Sequence, residues 1–365
     1  MSSTLLFVDI SSHGFGHLAQ TAPILNALGA ERDLRLMVRS GLPHAQLDRR
    51  IKVPFTHIQL ASDFGFTMQD ALSVDLDASA QRYRDAFANW SQRVEYEAEM
   101  LTSLNPDLVL SNVSPLPLAG AALAGIPSIA MCSLNWADLF AHFFADADWA
   151  LPIHTAMQEA YASAFSFMAL TPGMPMQNLP NRHPIGPIAS IAESTRNEVA
   201  DALRLPKHKR WLLVAFGGIA HRLPVESWPE MPGIQLIVPA EWQVKRSDCT
   251  SFSDAALPFA ELLPHVDAVL TKPGYGTFTE AACNGIPVMY LRRSNWPESP
   301  YLEAWLHRHT KALALTPAMV NSGNIASSFH ALLWQSAPAL PQATGIAEAV
   351  SLINDQLDAN VTIAA

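Results

Sequence analysis

The stretch VDAVLTKPGYGTFTEAA, residues 266–282, combines a predicted strand, a glycine turn and a helix start. The apolar run ends at Leu270, Gly274 and Gly276 follow it, and the residues after Thr277 are typical of a helix. Backbone N–H groups and the positive dipole end at a helix start bind phosphate. Glycine lets a diphosphate approach the main chain, because it has no Cβ atom. The stretch therefore predicts an α/β domain with a phosphate-binding turn.

The same stretch also has a purely structural interpretation. Thr277 and Glu280 have the spacing of a capping box, which stabilises a helix N-terminus without any ligand. Short motifs match by chance often enough that this segment alone does not separate a cap from a ligand site.

A second glycine turn lies near the amino terminus, in DISSHGFGHL at residues 9–18. Gly14, Gly16 and Ala19 match a degenerate dinucleotide fingerprint, which is a weak signal by itself. His13 and His17 flank the glycines, and this argues against a nicotinamide site.

Short apolar runs alternate with helical segments in both halves of the chain, which predicts two parallel sheets covered by helices. The predicted strands are Leu5–Ile10, Leu34–Val38, Leu108–Leu110 and Ser128–Met131 in the first half, and Trp211–Phe216, Gln235–Val238, Ala268–Leu270 and Val288–Leu291 in the second.

A chain of 365 residues is long enough for two domains with separate cores. We expect an amino-terminal Rossmann-like domain over residues 1–170 and a second over 192–340. Residues 171–191 are rich in proline and predict a linker. We expect the last segment, 341–365, to form a helix that returns to the first domain.

Composition excludes several classes of protein. The chain is 49% hydrophobic and 15% charged, which predicts a folded globular protein, and its net charge of −10 disfavours nucleic-acid binding. Cys132, Cys249 and Cys283 lie far apart, which predicts neither disulfides nor a metal site and suits a reducing cytoplasm. No signal peptide is predicted at the amino terminus.

One uncharged stretch, Leu108–Ala137, is long enough to suggest a membrane span. Pro115, Pro117, Gly125 and Pro127 interrupt it, and these interruptions predict a buried strand, a short helix and another strand instead of a transmembrane segment.

Taken together, these motifs resemble glycosyltransferases of the MurG and UDP-glucuronosyltransferase type. The likeness rests on Gly16-His17 followed by an apolar helix, and on the glycine turn and Glu280 in the second half. The chain is also similar, over most of its length, to the glycosyltransferase-like amino-terminal half of plant arabinokinases. That similarity is carried by His13-Gly-Phe-Gly-His17, Lys272-Pro-Gly-Tyr-Gly-Thr277 and Arg292-Arg293. The resemblance implies the GT-B fold, in which a nucleotide-sugar lies in a cleft between two Rossmann-like domains.

The resemblance assigns roles to the first glycine turn. His17 matches the histidine that deprotonates the acceptor hydroxyl, and the near-neutral pKa of histidine suits that task. The alternative is that His17 only holds the loop by hydrogen bonds. His13, Gly14 and Gly16 would shape the substrate site around it.

The resemblance places the nucleotide-sugar donor in the second half. The matching positions are Gly274, Tyr275, Gly276 and Thr277 for the diphosphate, Glu280 for the ribose, Gly217 and Gly218 for a turn near the phosphates, and Phe259 for the base. Many such enzymes grip the donor sugar with an acidic-Gln or Gln-Gln pair. This chain has WPESPY at 296–301, so Glu298 becomes the candidate for the sugar hydroxyls. Arg292 and Arg293 could reach a diphosphate or lie in solvent as ion-pair partners.

The expected activity is that of an inverting, metal-independent glycosyltransferase, most simply a hexosyltransferase. Its partners would be a nucleotide-sugar, bound as substrate, and an unknown acceptor, with no other cofactor. We find no residues at metal-ligand spacing in the matched motifs. A nucleotide-sugar 2-epimerase of the same fold, a binding module without transfer and, last, a dinucleotide oxidoreductase are the alternatives.

Overall fold

The computed structural model describes residues 4–70, 73–191, 194–216, 222–254 and 256–364. The chain forms two compact units. Unit 1 comprises Met1–Gln69, Val74–Ile188 and Thr344–Ala365, and unit 2 comprises Asp70–Ser73 and Ala189–Ala343.

Unit 1 contains a seven-stranded parallel sheet in the order β3-β2-β1-β4-β5-β6-β7. Its strands are β1 Thr4–Ile10, β2 Leu34–Arg39, β3 Phe55–Ile58, β4 Leu108–Asn112, β5 Ser128–Cys132, β6 Ser166–Leu170 and β7 Arg182–Ile185. Its helices are α1 Gly16–Glu31, α2 His44–Arg50, α3 Leu76–Ala88, α4 Trp90–Leu104, α5 Pro115–Ala124, α6 Trp136–Phe144 and α7 Ala150–Ser163.

Unit 2 contains a six-stranded parallel sheet in the order β10-β9-β8-β11-β12-β13. Its strands are β8 Arg210–Ala215, β9 Ile234–Pro239, β10 Cys249–Phe252, β11 Ala268–Thr271, β12 Val288–Leu291 and β13 Ala312–Leu315. Its helices are α8 Arg196–Leu203, α9 Phe259–Leu262, α10 Tyr275–Cys283, α11 Ser299–His309, α12 Pro317–Ser322 and α13 Ala326–Trp334. The last helix of the chain, α14, spans Gly345–Ala364 and belongs to unit 1.

The uncharged stretch forms the predicted β4–α5–β5 unit. Both strands are buried along their whole length, as expected for central strands of a parallel sheet. Pro115 occupies the first turn of α5, where its missing N–H costs nothing, and Gly125 ends the helix with a φ of 69°. No helix among the described residues is long and apolar enough to cross a membrane.

The proline-rich segment 171–191 is not a linker over its whole length. Residues Arg182–Ile185 form β7, which pairs in parallel with β6. β7 is the last strand of the order, and Pro184 is tolerated because only one side of an edge strand needs ladder hydrogen bonds.

Helix α14 packs against α1 of unit 1. Asp358 accepts a hydrogen bond from Arg32 at 2.5 Å, and Asn354 donates to Glu31 at 3.0 Å. The Glu348 carboxylate also accepts from the backbone N–H of Gly186, just after β7, at 2.7 Å. The carboxy-terminal segment therefore completes the unit in which the chain begins.

Candidate functional site

The sheet of unit 1 changes its winding direction between β1 and β4, which are adjacent although α1, β2 and β3 separate them in sequence. Ligands of open parallel sheets bind at such a point, outside the carboxyl ends of the strands. His17, the second residue of α1, meets Asn112, the last residue of β4, here. The His17 Nδ1 and Asn112 Oδ1 atoms are 2.9 Å apart, and His17 is only 5% exposed.

The hydrogen bonds of Asn112 determine the tautomer of His17. The Asn112 side-chain nitrogen lies 3.2 Å from the His17 carbonyl, 3.0 Å from Gln20 Oε1 and 3.0 Å from Thr21 Oγ1, all of which accept. The amide oxygen therefore faces the imidazole and can only accept, so His17 Nδ1 carries the proton. The lone pair of the neutral ring is on Nε2.

Burial lowers the pKa of His17 to about 4, although the hydrogen bond that the ring donates to Asn112 opposes this shift. The imidazole is therefore neutral at pH 7, the form that can accept a proton. Because the folded pKa lies below the unfolded value, folding favours the neutral ring, and this contribution to stability is lost as pH falls from about 6.5 to about 4.

His13 lies in the same part of unit 1 and packs on Trp136. The ring centroids of Trp136 lie 5.3 Å from His13 and 5.6 Å from His17, both edge to face. Trp136 Nε1 donates to Asp63 at 2.6 Å, and Ser11 Oγ donates to the same carboxylate at 2.8 Å. Burial, reinforced by the nearby Asp9 carboxylate, raises the pKa of Asp63 to about 7.

Gly14 and Gly16 leave open space above the turn. Gly14 has a φ of 83°, which side chains rarely adopt, and a Cβ at either position would meet nothing within 4 Å. Gly65, by contrast, has its Cβ position blocked by His13 and Trp136 at 2.8 Å. The space above Gly14 and Gly16 is thus available to a substrate.

In unit 2 the corresponding change of winding falls between β8 and β11. α10 begins at Tyr275 with Gly274 as its N-cap residue. Thr277 and Glu280 both lie inside the helix, so the capping-box interpretation is wrong. Glu280 is 7% exposed.

Gly274 is required neither by the backbone nor by packing. Its φ of −163° is extended, and a Cβ would come no closer than 3.9 Å to the Lys272 carbonyl oxygen. The helix start of α10 also has no side-chain cap at Gly274. Neither the backbone conformation nor the packing of this protein therefore requires a glycine at position 274.

Positive side chains collect beside this helix start. Burial and the charge of Arg293 lower the pKa of Lys272 to about 8. Burial lowers the pKa of Arg293 to about 10, while Glu298 opposes the shift. Arg293 stacks 3.9 Å above the Trp296 ring, and Trp296 Nε1 donates to Glu298 at 3.1 Å. The N-terminal end of α10 and two cations form a site for an anion.

Arg292 and Arg293, which are adjacent in sequence, lie in different environments. Arg292 is exposed and pairs with Glu303 at 3.3 Å, as a solvated residue would. Arg293 is buried in the cluster with Lys272 and Glu298. Only Arg293 is therefore a candidate for a bound diphosphate.

Phe259 begins the short helix α9 and is half-buried, with its ring centroid 6.4 Å from that of Phe252 at the end of β10. It lies near the carboxyl end of a strand, as a base-binding residue would. Gly217 and Gly218 lie outside the described residues.

Metal independence stays a prediction. The chain contains two Asp-x-Asp pairs, Asp75 with Asp77 and Asp146 with Asp148, all in unit 1. Asp75 caps α3 by accepting from the Ala78 backbone N–H. Within the described part of the chain no group of three His, Cys, Asp or Glu side chains could hold a metal ion.

Comparison with known proteins defines the class of fold. No family model matches the chain. The glycosyltransferase VinC, solved in complex with DTDP, is 16% identical with a TM-score of 0.56, over 98% of this chain and 96% of that one. A UDP-N-acetylglucosamine 2-epimerase from Listeria monocytogenes, described as putative, is 13% identical with a TM-score of 0.58, over 97% and 96%. The chain has the two-unit α/β fold of GT-B glycosyltransferases, as the sequence predicts.

Among curated proteins, the L-arabinokinase of Arabidopsis thaliana is 26% identical over 307 residues, which is 81% of this chain. The chain spans 29% of the length of that relative.

Sequence reasoning missed three residues of the candidate sites. Asn112 and Asp63 come next to the first turn only through the fold, but the position of Asn112 at the end of a buried strand was a usable signal. Lys272 belongs to the motif that predicts the phosphate-binding turn, but the motif gives this residue no separate role.

Proposed function

We propose that this protein is a glycosyltransferase that moves a sugar from a nucleoside-diphosphate donor to an acceptor hydroxyl. The observation that carries the proposal is the His17–Asn112 pair at the winding change of the first sheet. It holds a neutral imidazole in one tautomer at the turn where this fold places ligands.

In the proposed step, His17 Nε2 takes the proton of the acceptor hydroxyl while that oxygen forms a bond to the anomeric carbon. The bond from the anomeric carbon to the diphosphate oxygen breaks, and the nucleoside diphosphate leaves with the electron pair. Attack from the face opposite the leaving group inverts the configuration. Asn112 accepts from Nδ1–H and so keeps Nε2 unprotonated before the reaction.

The donor would bind at the start of α10 in unit 2. Backbone N–H groups at Gly276 and Thr277, the side chains of Lys272 and Arg293 and the helix dipole would stabilise the developing charge on the diphosphate without a metal ion. Glu280 would accept from the ribose hydroxyls, and Glu298 would hold the sugar. A cytoplasmic location belongs to the same proposal.

A ligand screen by thermal shift tests the proposal directly. We expect UDP- or TDP-sugars to raise the melting temperature while NAD and ATP do not, because ligands stabilise the state that binds them. The confirming assay is acceptor-dependent release of nucleoside diphosphate. Selective stabilisation by NAD or ATP would contradict the glycosyltransferase assignment.

The similarity to a 2-epimerase gives a second candidate of the same fold. Such chemistry needs carboxylates around the sugar. The structure offers the half-buried Asp63 in unit 1 and the buried Glu298 in unit 2. An epimerase would change the donor sugar with no acceptor present, whereas a transferase would not. Analysis of the sugar after incubation without acceptor separates the two, and binding without either reaction would indicate a module that has lost transfer.

A further inference from the structure

One carboxylate, that of Asp63, joins two segments of unit 1 that pack around His17. Its Oδ1 atom accepts from Ser11 Oγ at 2.8 Å, and its Oδ2 atom accepts from Trp136 Nε1 at 2.6 Å. Ser11 directly follows β1 and begins the glycine turn, whereas Trp136 is the first residue of α6. The turn and the start of α6 are therefore tied together through a side chain that belongs to neither.

Both bonds need the ionised carboxylate as their acceptor. Indole Nε1 can only donate a hydrogen bond. Ser11 Oγ accepts from the backbone N–H of His13 at 3.3 Å, which leaves its own hydrogen available for Asp63. A carboxylate offers one acceptor oxygen to each of the two donors, whereas an amide has one oxygen and one NH2 group. Aspartate is thus the side chain of this length that satisfies both donors.

Trp136 restrains the plane of the His17 ring. The hydrogen bond between His17 Nδ1 and Asn112 fixes one edge of the imidazole, but it leaves the ring free to tilt about that bond. The Trp136 ring packs edge to face against the imidazole, with the two centroids 5.6 Å apart. Because the bond to Asp63 holds the indole, it limits this tilt and so the direction in which His17 Nε2 points.

The segment that carries Asp63 is itself anchored on both sides. Ser62 Oγ donates to Asp9 at 2.6 Å, and the Gly65 carbonyl accepts from the Tyr83 hydroxyl at 2.8 Å. These bonds fix the backbone before and after residue 63. The carboxylate therefore meets its two donors from a defined position.

Protonation of Asp63 would change one of its two bonds. Burial, reinforced by Asp9, raises the pKa of Asp63 to about 7, against the bonds from Trp136 and Ser11 and the charge of Arg39. The charged and titratable groups that face Asp63 or its partners come from seven elements and turns, namely Asp9 on β1, His13 in the turn, His17 on α1, Arg39 on β2, Tyr83 on α3, Arg93 on α4 and Tyr161 on α7. Trp136 donates to Oδ2, so the proton would enter at Oδ1 and Ser11 Oγ would have to accept it. The hydrogen of Ser11 would then lose its acceptor.

We propose that Asp63 is a positioning residue for sugar transfer, whose ionised carboxylate holds Ser11 and Trp136 and through them the orientation of His17. Asp63 acts through its two donors and takes no part in the proton transfer itself. This inference rests on the proposed function for the reaction, whereas the link between the turn and α6 can be measured without turnover.

Nuclear magnetic resonance tests this link in the whole protein without substrate. The probes are the Trp136 indole N–H, assigned with Trp136→Phe, and the Ser11 backbone N–H. We expect both resonances to shift as pH passes through about 7, and both to lose most of that shift in Asp63→Asn. A shift of only one resonance, or shifts of equal size in Asp63→Asn, overturns the proposal.

Kinetics then test whether the link positions the base. In the parent, kcat should rise with pH in two steps, one near pH 4 from His17 and one near pH 7 from Asp63. At about pH 8, Asp63→Asn should lower kcat about three- to tenfold and keep the nucleotide Kd within about twofold, because only the geometry of the base changes. The step near pH 7 should disappear, while the step near pH 4 stays.

Two further variants complete the test. Ser11→Ala cuts the same link on its other side and should also lose the step near pH 7, which keeps the proposal testable if Asp63→Asn folds poorly. Asp138→Asn is the control, because Asp138 is a half-buried carboxylate on α6 that accepts from Gln158 at 3.4 Å. Equal kcat losses in Asp63→Asn and Asp138→Asn, or a step near pH 7 that remains in Asp63→Asn, contradicts the positioning role. Absence of transfer in the parent would count against the proposed function, and the resonance shifts would still decide whether Asp63 holds the turn.

Discussion

The two sheets have the same winding change, but they present different chemistry there. At the β1–β4 position of unit 1, His17 is surrounded by neutral amide and hydroxyl groups from Asn112, Gln20 and Thr21. At the β8–β11 position of unit 2, Lys272 and Arg293 lie beside a helix start. Neutral partners keep an imidazole unprotonated, whereas cations favour an anion. The difference is what we expect if unit 1 transfers the proton and unit 2 binds the diphosphate, as proposed.

His17→Ala gives the sharpest separation of these roles. Loss of a general base typically lowers the rate by ~10²–10⁴, while donor affinity should stay nearly unchanged because the donor contacts lie in unit 2. The measurements are kcat with saturating donor and the Kd of the nucleotide by calorimetry. His13→Ala is the matched control and should cost less. Normal turnover in both variants would mean that neither histidine is the general base.

Glu280→Gln tests the nucleotide side of the comparison. Glutamine keeps the shape of this buried side chain inside α10, and the melting temperature of the variant is measured alongside its affinity. Nucleotide affinity should fall by ~1–3 kcal/mol, the usual loss for a hydrogen bond to a charged group. Glu303→Gln, at the ion pair with Arg292, serves as control. If calorimetry shows equal affinities in both variants, Glu280 does not bind the ribose.

Asn112→Asp asks whether the neutral partner sets the pKa of His17. A carboxylate in that place favours the charged imidazolium, so the pKa of His17 should rise from about 4 by roughly one unit or more. Because the neutral ring is the base, the acid limb of kcat/KM should move to higher pH. Loss of the amide donors to Gln20 and Thr21 should also lower the melting temperature. An acid limb that stays in place would mean that His17 is not the titrating base.

Gly274→Ala is expected to have the smallest effect. Its backbone is extended and its Cβ position is open, so stability should stay within about 0.5 kcal/mol of the parent. Nucleotide affinity should fall about three- to tenfold if a diphosphate approaches the main chain there. Gly323 has a φ of 71°, and a Cβ there would lie 2.2 Å from Trp228. Gly323→Ala should therefore destabilise unit 2, and it serves as the positive control for the stability measurement. Unchanged nucleotide affinity in Gly274→Ala would mean that the diphosphate does not approach the main chain at this residue.

The sequence predicted what local patterns determine. The βαβ unit around α5 follows from buried apolar runs and from Pro115 and Gly125, and the strand before Gly274 follows in the same way. Thr277 and Glu280 have cap spacing, but the helix begins two residues earlier, because Gly274 takes the N-cap position. The first residue of a helix is difficult to predict when small residues can lie either at the N-cap or in the first turn.

Contacts between distant segments were beyond the sequence patterns. Asn112 reaches His17 only because β4 is placed next to β1, and Asp63 reaches Trp136, which is 73 positions away in sequence. The edge strand β7 was not predicted, because composition alone assigns the proline-rich segment that contains it to a linker. Which side chains meet depends on strand order, and no short motif encodes that order.

The return of α14 to unit 1 has a consequence for how the chain folds during synthesis. Unit 2 is made between two parts of unit 1, and the helix that covers α1 is made after unit 2. Glu31 and Arg32, at the end of α1, therefore meet Asn354 and Asp358 only after unit 2 has been synthesised. Unit 2 can thus complete its core before unit 1 does.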